Sequence, residues 1–190
     1  MGRYTVIADL SEEIVRTLKE ELVPDVILDQ NGIGLCSPSN TEEYSLGIFL
    51  YDIQESDEIR QLHMLDINAR SQQGPPAYLS LYYMITAYSQ SDQKFQMIQE
   101  ERILGRVIQH FHDNPVLMVS DEEIKIQMLH VSTEDKTKLW NFNGKPYTIS
   151  IFYKAAPVML ESAMVRDVVR VRGAEIDVQN LHGNGSRVHE

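Results

Sequence analysis

A chain of 190 residues with 43% hydrophobic and 24% charged residues is most simply one globular domain with a real core. Its formal net charge of -11 and its pI near 5.0 argue against nucleic-acid binding and against docking on anionic lipid, because both need clustered Lys and Arg. The single cysteine, Cys36, excludes an intrachain disulfide. Neither a secretory leader nor a run of ~20 apolar residues is visible, so we expect synthesis in the cytoplasm without a membrane span.

The N-terminal segment predicts an amphipathic helix. Asp9 and Glu12 form a capping box, or Ser11 caps the helix one turn later, and Pro24 ends it. An i, i+4 pattern of apolar residues predicts the face that packs on the rest of the protein. This stripe consists of Ile14, Val15, Leu18 and Leu22.

Strands are predicted to follow this helix. Residues 26–28 read as a short strand, and Asn31-Gly32 after it is a strong hairpin signal. Residues 44–53 are apolar on both faces, which predicts a strand in the centre of a sheet or covered on both sides. Residues 68–76 predict a loop because Gly-Pro-Pro forces an extended backbone, and residues 77–88 predict a long strand.

The long strand has two different faces, because successive side chains of a strand point in opposite directions. The predicted core face consists of Leu79, Leu81, Tyr83, Ile85 and Ala87. The opposite face consists of Tyr78, Ser80, Tyr82, Met84, Thr86 and Tyr88. Either a helix covers this second face, or it is a protein interface, where tyrosine is enriched because it combines apolar area with a polar tip. The candidate interface residues on it are Tyr78, Tyr82 and Tyr88.

The C-terminal half predicts a main helix over residues 92–112, which Pro115 stops. Gly105 inside this helix is expected to permit a close approach of the sheet. A strand over residues 123–131 and a short helix from Ser132 to Trp140 are predicted next. A turn at Asn143-Gly144 and a strand from residue 147 then follow, continuing to Val158.

The last predicted strand, residues 164–171, is flanked by basic residues and is a second candidate interface. A strand near a chain terminus can pair with a neighbour's exposed edge through backbone hydrogen bonds. Its candidate residues are Arg166, Arg170 and Arg172. We expect one domain over residues 1–172 and a flexible polar tail over residues 173–190.

No catalytic constellation is visible in the sequence. His110 and His112 point to different sides of a helix, so they cannot chelate one metal ion. Gly32-Ile33-Gly34 is too short for a dinucleotide loop, and no nucleophile elbow is present. Cys36 is most simply an unreactive cysteine in a loop. We therefore predict a protein that is not an enzyme and binds no metal and no cofactor.

Several segments, in their order along the chain, resemble one family. These segments are the strand 46–53, the stretch Gly74-Pro75-Pro76-x-Tyr78-Leu79 that leads into residues 81–88, the helical residues 104–109, residues 113–117 at the end of that helix, Leu139-Trp140, Lys145-Pro146-Tyr147 and the strand 150–158. The chain is similar over residues 14–172 to the N-terminal domain of cap proteins, or tail terminators, of phage-tail-like contractile injection systems. Some members carry an additional C-terminal region, which leaves open which cap variant this chain represents.

The resemblance implies an α+β fold: a mixed, mostly antiparallel sheet packed by two main helices. It also implies a structural role without cofactor or catalysis. Proteins of this family form a homo-hexamer on the baseplate-distal end of the tail, where they contact the terminal tube and sheath subunits, stop polymerisation and hold the extended sheath. Two alternatives remain open, a collar or baseplate adaptor of the same kind of particle and a small-molecule enzyme. The enzyme would need a concave pocket with convergent polar groups.

Overall fold

The computed structural model describes residues 4–40, 44–56, 59, 61–68, 70–89 and 93–167. Within these ranges the chain forms three helices, nine strands and one turn of 3₁₀ helix at Gln30–Gly32. In chain order the elements are α1 (Val6–Leu22), β1 (Ile33–Leu35), β2 (Leu46–Glu55), β3 (Leu65–Asp66), β4 (Ser71–Gln73), β5 (Ala77–Ala87), α2 (Gln93–Asp113), β6 (Val116–Val119), β7 (Glu122–Met128), α3 (Thr133–Phe142), β8 (Ser150–Leu160) and β9 (Val165–Asp167).

The described strands form two sheets. The main sheet has six strands in the order β1-β2-β5-β8-β7-β6, and only the short β1–β2 pair is parallel. The small sheet has the order β3-β4-β9 and continues the central pair of the main sheet, since β4 leads into β5 and β8 leads into β9. The predicted α+β class, with a mixed and mostly antiparallel sheet, is confirmed.

The main core lies between one face of the main sheet and the helices α1 and α2. Helix α1 contributes a row of fully buried side chains, and β5 contributes the face that was predicted to be core. These residues are Leu10, Ile14, Leu18 and Leu22 from α1 and Leu81, Tyr83, Ile85 and Ala87 from β5. Burying each large apolar side chain contributes about 1.5–3 kcal/mol, so this seam supplies much of the stability.

A second, smaller core lies on the opposite face of the sheet. Trp140 of α3 packs there against Met84 of β5 and Phe152 of β8, and all three are 1% exposed. The predicted cap of this helix is confirmed, because the Ser132 hydroxyl accepts the Asp135 backbone N–H at 3.1 Å. The predicted turn after it is confirmed as well, with Gly144 at a φ of +67°.

Helix α1 starts earlier than either predicted cap. Thr5 is its N-cap residue, so Asp9 lies in the first turn and Ser11 lies within the helix. Ser11 is buried, and its hydroxyl donates to the Ile7 carbonyl at 3.0 Å. The sequence reading mistook a buried polar contact for a cap, whereas the predicted end of the helix before Pro24 is confirmed.

The predicted strand at residues 26–28 is wrong, and so is the hairpin after it. The N–H groups of Val26 and Ile27 donate to the Leu22 carbonyl at 2.9 and 3.0 Å, so this segment completes the end of α1. Asn31 and Gly32 belong to the 3₁₀ turn, in which the Asp29 carboxylate accepts the Asn31 N–H. The chain therefore leaves this turn in β1, which runs parallel to β2.

Three further differences concern the rest of the chain. The predicted loop at residues 68–76 contains β4, and β6 was not predicted at all. A Cβ on Gly105 would meet nothing within 4 Å, so this glycine does not serve a close approach of the sheet. The last strand is described only as far as Asp167, and the predicted tail at 173–190 lies outside the described residues.

The buried contact between α1 and β5 gives a test of the fold. The Ser11 hydroxyl already donates to Ile7, so the Tyr83 hydroxyl, 2.9 Å away, is the donor of their shared bond. Ser11→Ala would leave the buried tyrosine hydroxyl without its partner and should cost roughly 1–3 kcal/mol of unfolding free energy. Tyr83→Phe leaves Ser11 bonded and should cost only about 0.5–1.5 kcal/mol.

Urea unfolding followed by circular dichroism measures these costs. The double variant should be more stable than Ser11→Ala, because it leaves no buried hydroxyl unpaired. Tyr78→Phe on the same strand is the matched control, and we expect it to change stability by less than about 0.5 kcal/mol. A larger loss from Tyr83→Phe than from Ser11→Ala would contradict the assigned direction of the bond.

Candidate protein interface

The open part of the second sheet face is built around Tyr82 and Tyr51. The Tyr82 hydroxyl donates to Oε1 of Gln54 at 3.1 Å, and the two tyrosine rings lie 6.2 Å apart, tilted by 55°. Tyr51 in turn meets the buried Phe152 ring edge-on at 5.6 Å. We call Tyr51, Tyr82 and Gln54 the tyrosine patch. It is a half-buried aromatic surface that rests on the second core and has polar tips.

The tyrosines in contact with the cores are neutral hydrogen-bond donors over the whole physiological range. Burial raises the pKa of Tyr51 to about 12, and the neighbouring Asp52 carboxylate contributes in the same direction. Burial likewise raises the pKa of Tyr83 and of Tyr88 to about 12. Any recognition by Tyr51 therefore uses an apolar ring and an uncharged hydroxyl.

A helix covers only one end of the tyrosine-bearing face, so the prediction of a covering helix holds for that end, and the open part stays a predicted interface. Helix α3 buries Met84, and the Thr86 hydroxyl lies 2.8 Å from that of Ser150 in a buried contact. Tyr88 is half-buried and lies over Gly47, where an added Cβ would come within 3.0 Å of its ring. Tyr88 is thus a packing residue, whereas Tyr82 lies in the open part.

Tyr78 lies apart from Tyr82. A β-bulge between Leu79 and Leu81 interrupts the pairing of β5 with β8 between the two tyrosines. The Tyr78 hydroxyl is 3.5 Å from Oε1 of Gln61, at the limit of a hydrogen bond. Tyr78 is half-buried and is not part of the tyrosine patch.

Tyr51 was not among the predicted interface residues. It sits at the irregularity in β2 where the register with β5 shifts between Leu50 and Asp52, and this places its ring beside Tyr82. The signal in the sequence was a tyrosine within a strand predicted to be apolar on both faces. A single strand does not reveal its cross-strand neighbours, so sequence reasoning missed the contact.

Arg166 lies on β9, the last strand of the small sheet, and is exposed. It is the register partner of Gln72 on β4. The small sheet is tied to the body where Gly74 N–H donates to the Met164 carbonyl at 2.8 Å. Arg170 and Arg172 lie outside the described residues, so their place in an interface stays a prediction.

A second strand edge, which sequence reasoning missed, belongs to β6. This strand ends the main sheet and pairs with β7 alone among the described strands. Val116 and Met118 are exposed, whereas Leu117 and Val119 are buried in the main core beneath α1. The missed signal was a short apolar run before Ser120-Asp121, two residues with positive φ of 53° and 68° that form a hairpin turn.

The histidines and the cysteine that were considered as metal ligands or nucleophiles lie in ordinary structural surroundings. His110 is 8% exposed with its Nδ1 atom 3.5 Å from a Glu21 oxygen, whereas His112 is exposed, so the two point to different sides as predicted. Burial raises the pKa of the Cys36 thiol to about 11, which keeps it protonated and a poor nucleophile. No three potential metal ligands come together in the described part of the chain.

A groove beside α2 brings together no cluster of charged side chains among its described lining residues. This groove of about 500 Å³ lies between α2 and the segment before β1. Its lining includes one carboxylate, that of Asp29, which already accepts the Asn31 N–H at 2.9 Å. None of the described helices has the length and apolar character needed to cross a bilayer.

Two solved structures share this fold. The sheath/tube terminator of an extracellular contractile injection system, PVC, in the extended state matches 92% of the chain with a TM-score of 0.64 at 18% identity. The tube terminating cap of the anti-feeding prophage, AFP, matches 90% of the chain with a TM-score of 0.68 at 17% identity. The chain spans 65% of the first protein and 61% of the second. No curated protein matches the chain significantly.

The family comparison agrees with these folds. A family model described as the Pvc16 N-terminal domain matches residues 5–172, which includes the whole range, 14–172, over which the sequence showed a resemblance. The predicted resemblance to the N-terminal domain of contractile-system caps is confirmed, and so is the tail-terminator-like fold. The chain is therefore a member of the Pvc16 N-terminal domain family.

Proposed function

We propose that this chain is a structural cap of a contractile injection system. In this role six copies form a ring on the baseplate-distal end of the inner tube and sheath. The ring stops polymerisation and keeps the extended sheath attached to the tube. The observation that carries the proposal is the fold shared with a sheath/tube terminator and a tube terminating cap over about nine tenths of the chain.

The surfaces of the fold suit a terminator. Such a protein must present one face to the last layer of the filament and offer no further docking site on the other side. A head-to-tail contact between copies that closes into a ring meets this need, because closure uses up the lateral edges of every copy. The described strands include four edge strands, β1 and β6 in the main sheet and β3 and β9 in the small sheet, and a separate open sheet face lies at the tyrosine patch.

The tyrosine patch is the surface that we assign to contact with the terminal tube or sheath subunit. Its rings are held in place by the edge-on contact with Phe152 and by the hydrogen bond to Gln54, so docking costs little side-chain entropy. Rigid, half-buried tyrosines are typical anchors of protein interfaces. Polar groups border them on one side, where Asp52 accepts a hydrogen bond from Gln54 at 2.7 Å.

The proposed role requires shape rather than reactivity. It uses no cofactor, metal or nucleic acid. The surroundings of the potentially reactive side chains agree with such a role, since His110 lies beside Glu21, the Cys36 thiol stays protonated, and the Asp29 carboxylate accepts the Asn31 N–H. The protein would be made in the cytoplasm, where the particle assembles, and would then remain as part of the phage-tail-like particle.

The first prediction of this proposal is an assembly of six copies. With a chain mass of 21.8 kDa, a hexamer has six times this mass, about 131 kDa. Size-exclusion chromatography with light scattering of the full chain should give this mass, either free or after addition of preformed tube ends. A strict monomer that binds neither tubes nor sheaths would contradict the proposal.

The second prediction concerns the tyrosine patch. Tyr82→Ala should weaken binding to preformed tube or sheath ends by roughly tenfold or more, because it removes a central aromatic anchor. Tyr82→Phe removes only the hydroxyl bonded to Gln54 and should change binding by less than about fivefold. Co-sedimentation over a range of protein concentrations measures both effects.

Tyr147→Ala is the matched control, since Tyr147 is 45% exposed in the segment between α3 and β8. It should bind as the unchanged chain does. Thermal unfolding identifies any variant that loses binding through misfolding. Full binding by a folded Tyr82→Ala variant would remove the tyrosine patch from the proposed contact while leaving the hexamer test unaffected.

A further inference from the structure

Apart from its short length and the preceding Pro115, the free edge of β6 lacks the usual features that prevent strand pairing. Sheet edges in soluble proteins are commonly protected by charged residues, proline or bulges. Within Val116–Val119 every side chain is apolar, the pairing with β7 is regular, and the outward residues Val116 and Met118 are 45% and 54% exposed. This strand therefore offers backbone hydrogen-bonding groups beside an exposed apolar surface.

Negative charge surrounds this edge. Four exposed carboxylates lie at the two ends of β6 or on its partner strand, against one exposed lysine, Lys125. The carboxylates belong to Asp113, Asp121, Glu122 and Glu123. Glu123 is the register partner of Met118, so its carboxylate lies on the strand next to the free edge. A strand with positive charge fits this surface better than a neutral or acidic one.

The chain itself contains an open strand that carries an arginine and is followed in the sequence by two more. Strand β9 pairs with β4 on one side, and no described strand covers its other side. Val165 on it is 56% exposed and is followed by the exposed Arg166. In the sequence, Arg170 and Arg172 follow at positions outside the described residues, and Asp167 is the single acidic residue between Val165 and Arg172. β9 thus combines an open edge with an exposed apolar residue and an exposed arginine, and two more arginines follow it in the sequence.

We propose that β9 of one copy pairs with the free edge of β6 in a second copy. The inference rests on the proposed ring and names its lateral contact. The two edges are different surfaces of one molecule, so the contact is head-to-tail, the kind that closes into rings. Backbone hydrogen bonds provide the affinity, and Val165 meets the exposed side chains of Val116 and Met118. Because neighbouring side chains of a strand point to opposite faces, Arg166 lies on the other face, toward Glu122, the register partner of Val119.

Cysteine cross-linking tests the pairing in the full chain. In a Cys36→Ser background, Met118→Cys and Val165→Cys are made as separate variants, mixed and oxidised mildly. Paired strands bring Cα atoms within the 4.4–6.8 Å that a disulfide needs. The mixture should give disulfide-linked dimers, and the double variant should give a ladder of bands up to six chains. Val116→Cys replaces Met118→Cys to cover a register shifted by two residues.

Each cysteine variant alone should give few dimers, because a head-to-tail contact does not bring two copies of the same strand together. A mixture of Val165→Cys with Tyr147→Cys is the matched control and should stay unlinked. If Val165→Cys links to Tyr147→Cys as efficiently as it links to Met118→Cys or Val116→Cys, the proposal is overturned.

Charge reversal provides a second test that uses only exposed positions. Glu122→Lys and Arg166→Glu should each raise the concentration at which the hexamer forms by about two- to fivefold, because an exposed ion pair contributes roughly 0.2–1 kcal/mol. The double reversal should restore much of the loss. Glu12→Lys and Lys145→Glu make the same changes in net charge at other exposed positions and should have little effect. Light scattering over a dilution series measures the shift.

The outcomes separate the two proposals. If the unchanged chain forms no ring, alone or on tube ends, the cap function itself is contradicted. If the ring forms but neither β6 position links to Val165→Cys, and the charge reversals behave like their controls, then only the β6–β9 pairing is overturned. Links together with rescue by the double reversal support both.

Discussion

The antiparallel pairing of β5 with β8 is the constraint on which the rest of the structure depends. The two strands form the centre of the main sheet and pair from Ala77 with Leu160 to Thr86 with Ser150. This register directs Tyr83 and Ile85 toward α1 and α2, and it directs Met84 and Phe152 toward α3. A slip of one residue would exchange the two faces and expose both cores, so the cores and the pairing fix each other.

The same pairing positions the surfaces assigned to function. Tyr82 lies on the second face of β5, where Tyr51 from β2 joins it in the tyrosine patch. The continuation of both strands beyond Gly74 and Leu160 produces β4 and β9, and β7 on the far side of β8 carries the edge strand β6. The paired strands thus connect the face proposed for the filament with the two edges proposed for neighbouring copies. Rigid placement is what a ring of identical subunits requires, since small angular errors accumulate around it.

The sequence predicted those elements whose evidence lies within one segment. The long strand β5 and the helices α2 and α3 have strong periodicity, and the Ser132 cap and the Gly144 turn follow local rules. Short elements failed because their state depends on distant partners. Residues 26–28 have strand-like composition but close the end of α1, and β6 exists because β7 pairs with it. Ser11 looked like a cap because its true partner, Tyr83, is 72 residues away.

In the candidate interface, too, features within one strand were predicted and contacts between strands were missed. Tyr82 was predicted from the alternation along β5, whereas Tyr51 required knowledge of the register between β2 and β5. Tyr88 shares the alternation of Tyr82 but packs over Gly47, a contact that depends on two strands at once. The family resemblance supplied the remaining step, because a surface without reactive groups identifies no partner by itself.

Locating this chain in intact particles tests the capping role most directly. Particles carrying an affinity-tagged copy, labelled with gold through the tag and imaged by negative-stain electron microscopy, should show label at one end only, opposite the baseplate. Label along the whole sheath or at the baseplate end would contradict a cap and would favour an adaptor elsewhere in the particle.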